Sequence, residues 1–298
     1  METSVKSLFA RIALFCGLMV LTGFVQAQTT HYPAGVEGIK GASLPPPGVY
    51  FRDYNYIYFS DNFKEGPPAF DLFVNVQAPR LIWITGQKVL GGYYGMDVIV
   101  PFVFQDLDVT GFRGRDFNVG DLFVEPITLS WHPKQADFSF GYGFWAPTAN
   151  YSPSDPVSPG KGFWTQMLTA GVTIYPDKAK TWSLSALNRY EINQKRDKTG
   201  ITPGQYWTLE WGLAKSVSKT VDVGMVGYYQ AQATTASGPG ASLRKDSVTG
   251  VGPEVTFVCP KLGVSTSIRY FREAGASNRP QGNTVNILRT KRLGPNHK

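Results

Sequence analysis

The feature that most limits what this chain can fold into is a two-residue alternation that recurs along its length. At 204–214, Trp207, Leu209, Trp211 and Leu213 share one parity, while Tyr206, Thr208, Glu210 and Gly212 share the other. Segment 261–270 sets Leu262, Val264, Thr266, Ile268 and Tyr270 against Gly263, Ser265, Ser267 and Arg269. Segments 138–145 and 251–257 repeat the pattern, with Phe138, Phe140, Tyr142 and Phe144 opposite Ser139, Gly141 and Gly143 in the first. Successive side chains on a strand point to opposite faces. Each segment is therefore a strand with one bulky apolar face and one small or polar face. A soluble sandwich also alternates, but it exposes charge freely, and here charged residues are only 17% against an ordinary share of about 25%.

Spacing carries the reading further. Strands are predicted near 49–59, 70–85, 93–108, 118–132, 136–147, 162–176, 181–191, 204–217, 220–232, 247–259, 261–272 and 282–293. The connections then alternate between short turns and longer polar loops, the latter at 60–69, 109–117, 148–161, 192–203, 233–246 and 273–281. Short turns at one end and long loops at the other are the topology of outer-membrane barrels. No segment after the amino terminus is an apolar run long enough for a helical span of about 20 residues. A closed barrel is the other structure that satisfies every backbone polar group in lipid. The expected fold is all-β: a transmembrane antiparallel up-and-down barrel of about 12 strands over 49–298. Two strands break the parity: Arg52 and Asp53 are adjacent, and Phe123, Ile127 and Leu129 share parity with Glu125. A bulge would resolve either case.

The amino terminus has two parts. Lys6 and Arg11 precede an apolar run from Ile12 to Val25, and Val25-Gln26-Ala27 resembles a signal-peptidase site. Residues 1–27 are expected to be a cleaved secretory signal. Cys259 is then the one mature cysteine. Residues 28–48 are rich in glycine and proline and end in Pro45-Pro46-Pro47-Gly48. They read either as a periplasmic leader or as a plug inside the barrel, with His31, Tyr32, Glu37 and Lys40 as its polar side chains.

Parity also assigns a lumen. Asp97, Arg189, Glu210, Asp222, Glu254 and Arg269 fall on the inward face, and Glu125 joins them if its strand is bulged. A charge facing mid-bilayer lipid costs about 2–4 kcal/mol for Arg, less for carboxylates. These residues form either a static ion-pair network filling a narrow barrel or a polar lining that discriminates permeants. Tyr206, Tyr228 and Met167 share the inward parity and would offer aromatic permeants an apolar step.

Other chemistries find little support. The histidines, His31, His132 and His297, form no H-x-x-x-H pair, so no metal or other cofactor is expected. There is no G-x-S-x-G elbow and no phosphate-binding G-x-x-x-x-G-K-[ST] loop, and no enzymatic activity is expected. The pI of about 9.3 comes from scattered lysines such as Lys88, Lys134, Lys178, Lys180, Lys219 and Lys261, at or beside predicted short turns. That placement suits lipid head groups and makes no track for nucleic acid.

Several stretches resemble one outer-membrane family. They are His31 to Gly48 followed by Tyr50-Phe51-Arg52-Asp53-Tyr54-Asn55, Gly120-Asp121 with Pro126 and Trp131-His132, and Gly141-Tyr142-Gly143 with Ala146-Pro147-Thr148. Gly252-Pro253-Glu254-Val255 and Arg279-Pro280-Gln281-Gly282-Asn283-Thr284 follow in the same order. Together they are similar to the "MetA-pathway of phenol degradation" proteins. The resemblance implies a bacterial outer-membrane barrel that passes small hydrophobic or aromatic molecules, and it carries no catalytic residues. One departure concerns the end: Leu293 is followed by Gly294-Pro295-Asn296-His297-Lys298 in place of a terminal aromatic, which leaves the register of the last strand open. The expected partners are outer-membrane lipid, lipopolysaccharide and the permeant, around a monomeric channel. The rivals are a non-conducting structural or adhesive barrel and a soluble secreted β-protein.

Overall fold

The computed structural model describes residues 30–294, so the expected signal peptide lies outside the described residues. Fourteen strands form one antiparallel sheet: β1 (Gly48–Ser60), β2 (Phe70–Val89), β3 (Gly92–Ile99), β4 (Phe102–Val109), β5 (Phe112–Val119), β6 (Leu122–Trp131), β7 (Ala136–Ala146), β8 (Thr165–Ile174), β9 (Trp182–Asn193), β10 (Tyr206–Ser218), β11 (Val221–Gln232), β12 (Ser247–Cys259), β13 (Val264–Ser277) and β14 (Asn283–Leu293). β1 pairs with both β14 and β2, closing a ring in the order β1-β14-β13-β12-β11-β10-β9-β8-β7-β6-β3-β2. The barrel therefore has the twelve strands expected. The last strand pairs in unbroken register with β1, from Val49↔Leu293 to Phe59↔Asn283.

The outer face is greasy as parity requires. Trp207, Leu213, Ile268, Tyr270, Phe138, Phe140, Val251 and Phe257 are exposed, whereas Thr208, Glu210, Ser267, Arg269, Ser139 and Glu254 on the opposite face are buried. Lys88 and Lys180 lie over the rings of Tyr93 and Tyr175 at the short-turn rim, at 4.9 and 4.5 Å.

Three details depart from the expected boundaries. The segment 93–108 is two strands, because Pro101 has no N–H for the ladder, and Gly120 N–H bonds the Pro101 carbonyl across the break. The loop expected at 109–117 is instead a tight turn at Thr110-Gly111, with Gly111 at φ 82°, followed by β5. β4 and β5 form a hairpin that prolongs β3 and β6 beyond the ring, and β5 pairs with β4 alone. Its charged outer face, with Arg115–Asp106 at 2.8 Å and Arg113–Asp108 at 3.6 Å, made it read as a loop. The strand expected to begin at 261 starts at Val264, leaving Leu262 exposed in the turn.

Both parity conflicts are resolved. β6 shifts register against β3 and β7 around Pro126 and Ile127. Phe123 and Glu125 are buried before the bulge and Thr128 and Ser130 after it, while Ile127 turns outward at 40% exposure. On β1 it is Arg52 that faces inward. Asp53 faces outward, where Gln77 Nε2 donates to its carboxylate at 2.5 Å and Asn55 Nδ2 donates to Gln77 at 2.6 Å.

Candidate functional site

The lumen is built from the inward parity of each strand and from residues 30–47, which run inside the barrel. Three carboxylates on β9, β10 and β12 hold this segment by its backbone. Glu191 accepts from the N–H groups of His31 (2.8 Å) and Tyr32 (3.1 Å) and from the Thr30 hydroxyl. Glu210 accepts from the N–H groups of Gly35 (2.8 Å) and Glu37 (3.1 Å), from the Tyr32 hydroxyl (2.6 Å) and from Arg189 (2.6 Å). Glu254 accepts from Ile39 N–H at 3.0 Å and pairs with Arg269 at 3.1 Å. Three of the segment's carbonyls are met by wall side chains: Arg269 donates to Val36 (2.6 Å), Asn286 to Gly35 (3.1 Å) and Gln230 to Tyr32 (3.0 Å). A chain without secondary structure must find such partners when buried.

The fit is close. Gly35 has φ 84°, and a Cβ there would stand 2.8 Å from Phe271 and 3.0 Å from Tyr228. At Gly38 a Cβ would overlap the Glu254 carboxylate. Only glycine permits this approach.

Each side chain expected in the segment has a position. His31 is buried, 3.0 Å from Asp121 and 2.8 Å from Thr165, and stacks on Trp145. Tyr32 lies under the Arg189 guanidinium, 4.1 Å from its ring centroid. Glu37 meets Arg52 at 3.2 Å and Tyr54 at 2.7 Å. Lys40 reaches Asp222 at 2.7 Å toward the short-turn rim.

Of the lumen residues expected from parity, Asp97, Glu125, Arg189, Glu210, Glu254, Arg269, Tyr206 and Tyr228 are buried, and Asp222 is half-buried. Asp97 and Glu125 converge on Arg80, which grips Asp97 through two bonds (2.8 and 2.7 Å) and Glu125 at 3.1 Å. Tyr228 packs on Phe271 and donates to Glu273 at 2.8 Å, away from open space. Tyr206 donates to Asp246 near the long loops. Sequence reasoning missed Arg80, Asp121, Glu191, Glu273 and Arg279. Arg80 was hidden because its strand mixes polar and apolar residues on both faces, and the others fall at strand ends or in loops.

The other side of the lumen is hollow. A cavity of about 600 Å³ lies between the segment and the wall formed by β1, β2, β3, β4 and β6. Leu72, Val74, Val76, Ile99, Val103 and Phe123 give it an apolar wall, Tyr54, Tyr56 and Tyr58 line one flank, and loop residues 151–161 border it. Met167 reaches it from β8. Among the described residues no cluster of three His, Cys, Asp or Glu could hold a metal ion.

Comparison with known proteins agrees with this architecture. The COG4313 outer membrane channel from Pseudomonas putida F1 superposes with a TM-score of 0.75 at 15% identity, covering 88% of this chain and 99% of that one. The translocator domain of the autotransporter NalP from Neisseria meningitidis superposes at 0.52 with 12% identity, covering 85% and 91%. No curated protein matches in sequence. These likenesses establish the fold, that of a bacterial outer-membrane β-barrel. The family described as "Putative MetA-pathway of phenol degradation" matches residues 55–289, and the chain belongs to it.

Proposed function

We propose that this protein is an outer-membrane channel for the passive passage of small hydrophobic or aromatic molecules, with residues 28–48 acting as a plug that narrows the path. The supporting observation is the cavity of about 600 Å³ with a largely apolar wall beside the clamped segment. Ligand sites of about 300–1,000 Å³ with mostly apolar walls and a few polar groups suit small organic molecules. The protein of Pseudomonas putida F1 with this fold is described as an outer membrane channel, and the family's description refers to phenol degradation. The first supports a channel, and the second supports an aromatic permeant.

In this reading the barrel works as a monomer in lipid and lipopolysaccharide, and passage is a matter of diffusion and weak binding, without catalysis. The lumen charges on β9, β10 and β12 position the plug. The filled half of the lumen favours one rival, a non-conducting barrel with a structural role. Liposomes carrying the refolded protein decide between them: toluene or phenol should enter faster than into empty liposomes, and a planar bilayer should show discrete current steps. Uptake equal to that of protein-free liposomes would remove the channel reading.

A further inference from the structure

Five arginines are buried among the described residues: Arg80, Arg189, Arg196, Arg269 and Arg279. Four have a carboxylate at ion-pair distance. Arg80 meets Asp97 at 2.7 Å, Arg189 meets Glu210 at 2.6 Å, Arg269 meets Glu254 at 3.1 Å and Arg279 meets Asp246 at 3.4 Å. Arg196 is different. It is 6% exposed, in the loop after β9, and no acidic group of the described residues pairs with it. Its Nε donates to the Lys161 carbonyl at 2.9 Å, and its guanidinium lies over Tyr151 and Phe163, 4.7 and 5.1 Å from their centroids. Two rings, the Lys161 carbonyl and the Tyr151 hydroxyl orient the group without neutralising it.

Its position is informative. Arg196 lines the 600 Å³ cavity and also a second one of about 400 Å³ toward the loops, so it stands where the two meet. Lys161 lines the larger cavity as well. Burial pulls its ammonium down to about 8, with Asp121 opposing and Arg196 adding to the fall. Asp121, which also lines this cavity, is already engaged by His31 (3.0 Å), Ala149 N–H (3.0 Å) and Lys161 N–H (2.8 Å). A buried charge without a counter-ion is costly, and a guanidinium fork matches a carboxylate in two bonds. The adjoining wall of Val74, Val76, Ile99 and Phe123 offers nothing to a bare inorganic anion.

We propose that the cavity is a binding site for small amphipathic organic acids, an aromatic carboxylate being the simplest, with Arg196 receiving the anionic group and the aliphatic wall receiving the body. This rests on reading the cavity as the permeant site and narrows the permeant class from neutral hydrocarbons to their acidic relatives.

Calorimetric titration of the full protein in micelles, against micelle-only blanks, tests it with benzoate, benzyl alcohol and acetate. Benzoate should bind at least tenfold tighter than benzyl alcohol, and acetate should give no measurable heat. Arg196→Met should reduce benzoate affinity about tenfold and leave benzyl alcohol unchanged, while Arg196→Lys should keep most of the preference. Heat-modifiable migration on gels verifies that each variant is a folded barrel. Equal affinity for benzoate and benzyl alcohol would overturn the proposal and leave the channel reading intact. So would acetate binding as tightly as benzoate, or Arg196→Met weakening both aromatic solutes alike. Binding of neither aromatic solute would remove the permeant site itself.

Discussion

The two sides of the lumen obey opposite rules. Along β9 to β13 the interior is charged and full: Glu191, Glu210 and Glu254 take the backbone N–H groups of residues 31–39, and Arg189 and Arg269 complete the pairs. Along β1 to β4 the interior borders open space, with Leu72, Val74, Val76, Ile99 and Val103 set beside the Arg80–Asp97 pair, while the outer face carries Asp53, Asn55 and Gln77. The difference fits the division of labour in the proposed channel. A wall that must hold an irregular segment needs acceptors and donors at fixed places, because every buried N–H and C=O has to be met. A wall that borders space for a transient guest needs only shape and weak contacts.

Removing the guest-side boundary is the strongest way to break this contrast. Deletion of residues 28–47 should raise single-channel conductance several-fold, since the segment fills one side of a narrow lumen. Unchanged conductance, with heat-modifiable migration retained, would mean that the segment does not limit flow.

Truncating a single clamp comes next. Glu210→Ala leaves Arg189 buried without its partner and strands the N–H groups of Gly35 and Glu37, at a cost of about 3–5 kcal/mol. Denaturant titration should register that loss. Val76→Ala, on the hollow side, should cost about 1 kcal/mol, because space already exists beside it. Similar losses from the two truncations would erase the distinction between the walls.

The hollow side can also be filled. Val76→Trp should slow uptake of toluene into liposomes by roughly fivefold or more, with stability changed by less than about 1 kcal/mol, because the added ring enters open volume. A large loss of stability with unchanged uptake would place the permeant path elsewhere.

The smallest expected effect is electrostatic. Lys161 is charged below about 8 and loses its proton as pH rises through that value, whereas benzoate stays ionised. Benzoate affinity should therefore fall about two- to threefold between pH 7 and pH 9. Asp121, Arg196, Glu191 and Arg279 are the charged groups around Lys161. Lys161→Gln should flatten the profile, and a slope that survives this substitution would assign the titration to another group.

The same contrast explains what could be read from the sequence. On β7, β10, β12 and β13 the outside meets hydrocarbon and the inside is packed, so Phe138 to Phe144, Trp207 to Leu213 and Ile268 against Arg269 spell out strand, face and lumen. Twelve ring strands close as the alternation and the loop spacing led one to expect, and Asp97, Arg189, Glu210, Glu254 and Arg269 are buried on the inward face. On β1 and β2 the rule is inverted. Leu72, Val74 and Val76 face inward because they border a cavity, and Asn75 and Gln77 face outward, so parity could not say where Arg80 pointed. The tight turn before β5 was hidden by Arg113 and Arg115, charges that are tolerated because the hairpin extends past the ring. Arg196 was invisible for a different reason: it lies in a loop, and the sequence does not announce a cation that lacks a partner.

The hydrogen-bonded row of Asp53, Gln77 and Asn55 crosses the outside of the wall about halfway along β1. Acyl chains cannot solvate a carboxylate, so head groups and water must be drawn down along this flank, as happens around ionisable groups exposed to a bilayer. The leaflet should then be thinner on this flank, where Arg289 also lies cross-strand from Asp53, than on the opposite one. A nitroxide attached at position 75 should accordingly be more accessible to aqueous quenchers than one at position 140. A protein with one thin flank is no longer round to its surroundings, and a tilt toward that side is the expected response.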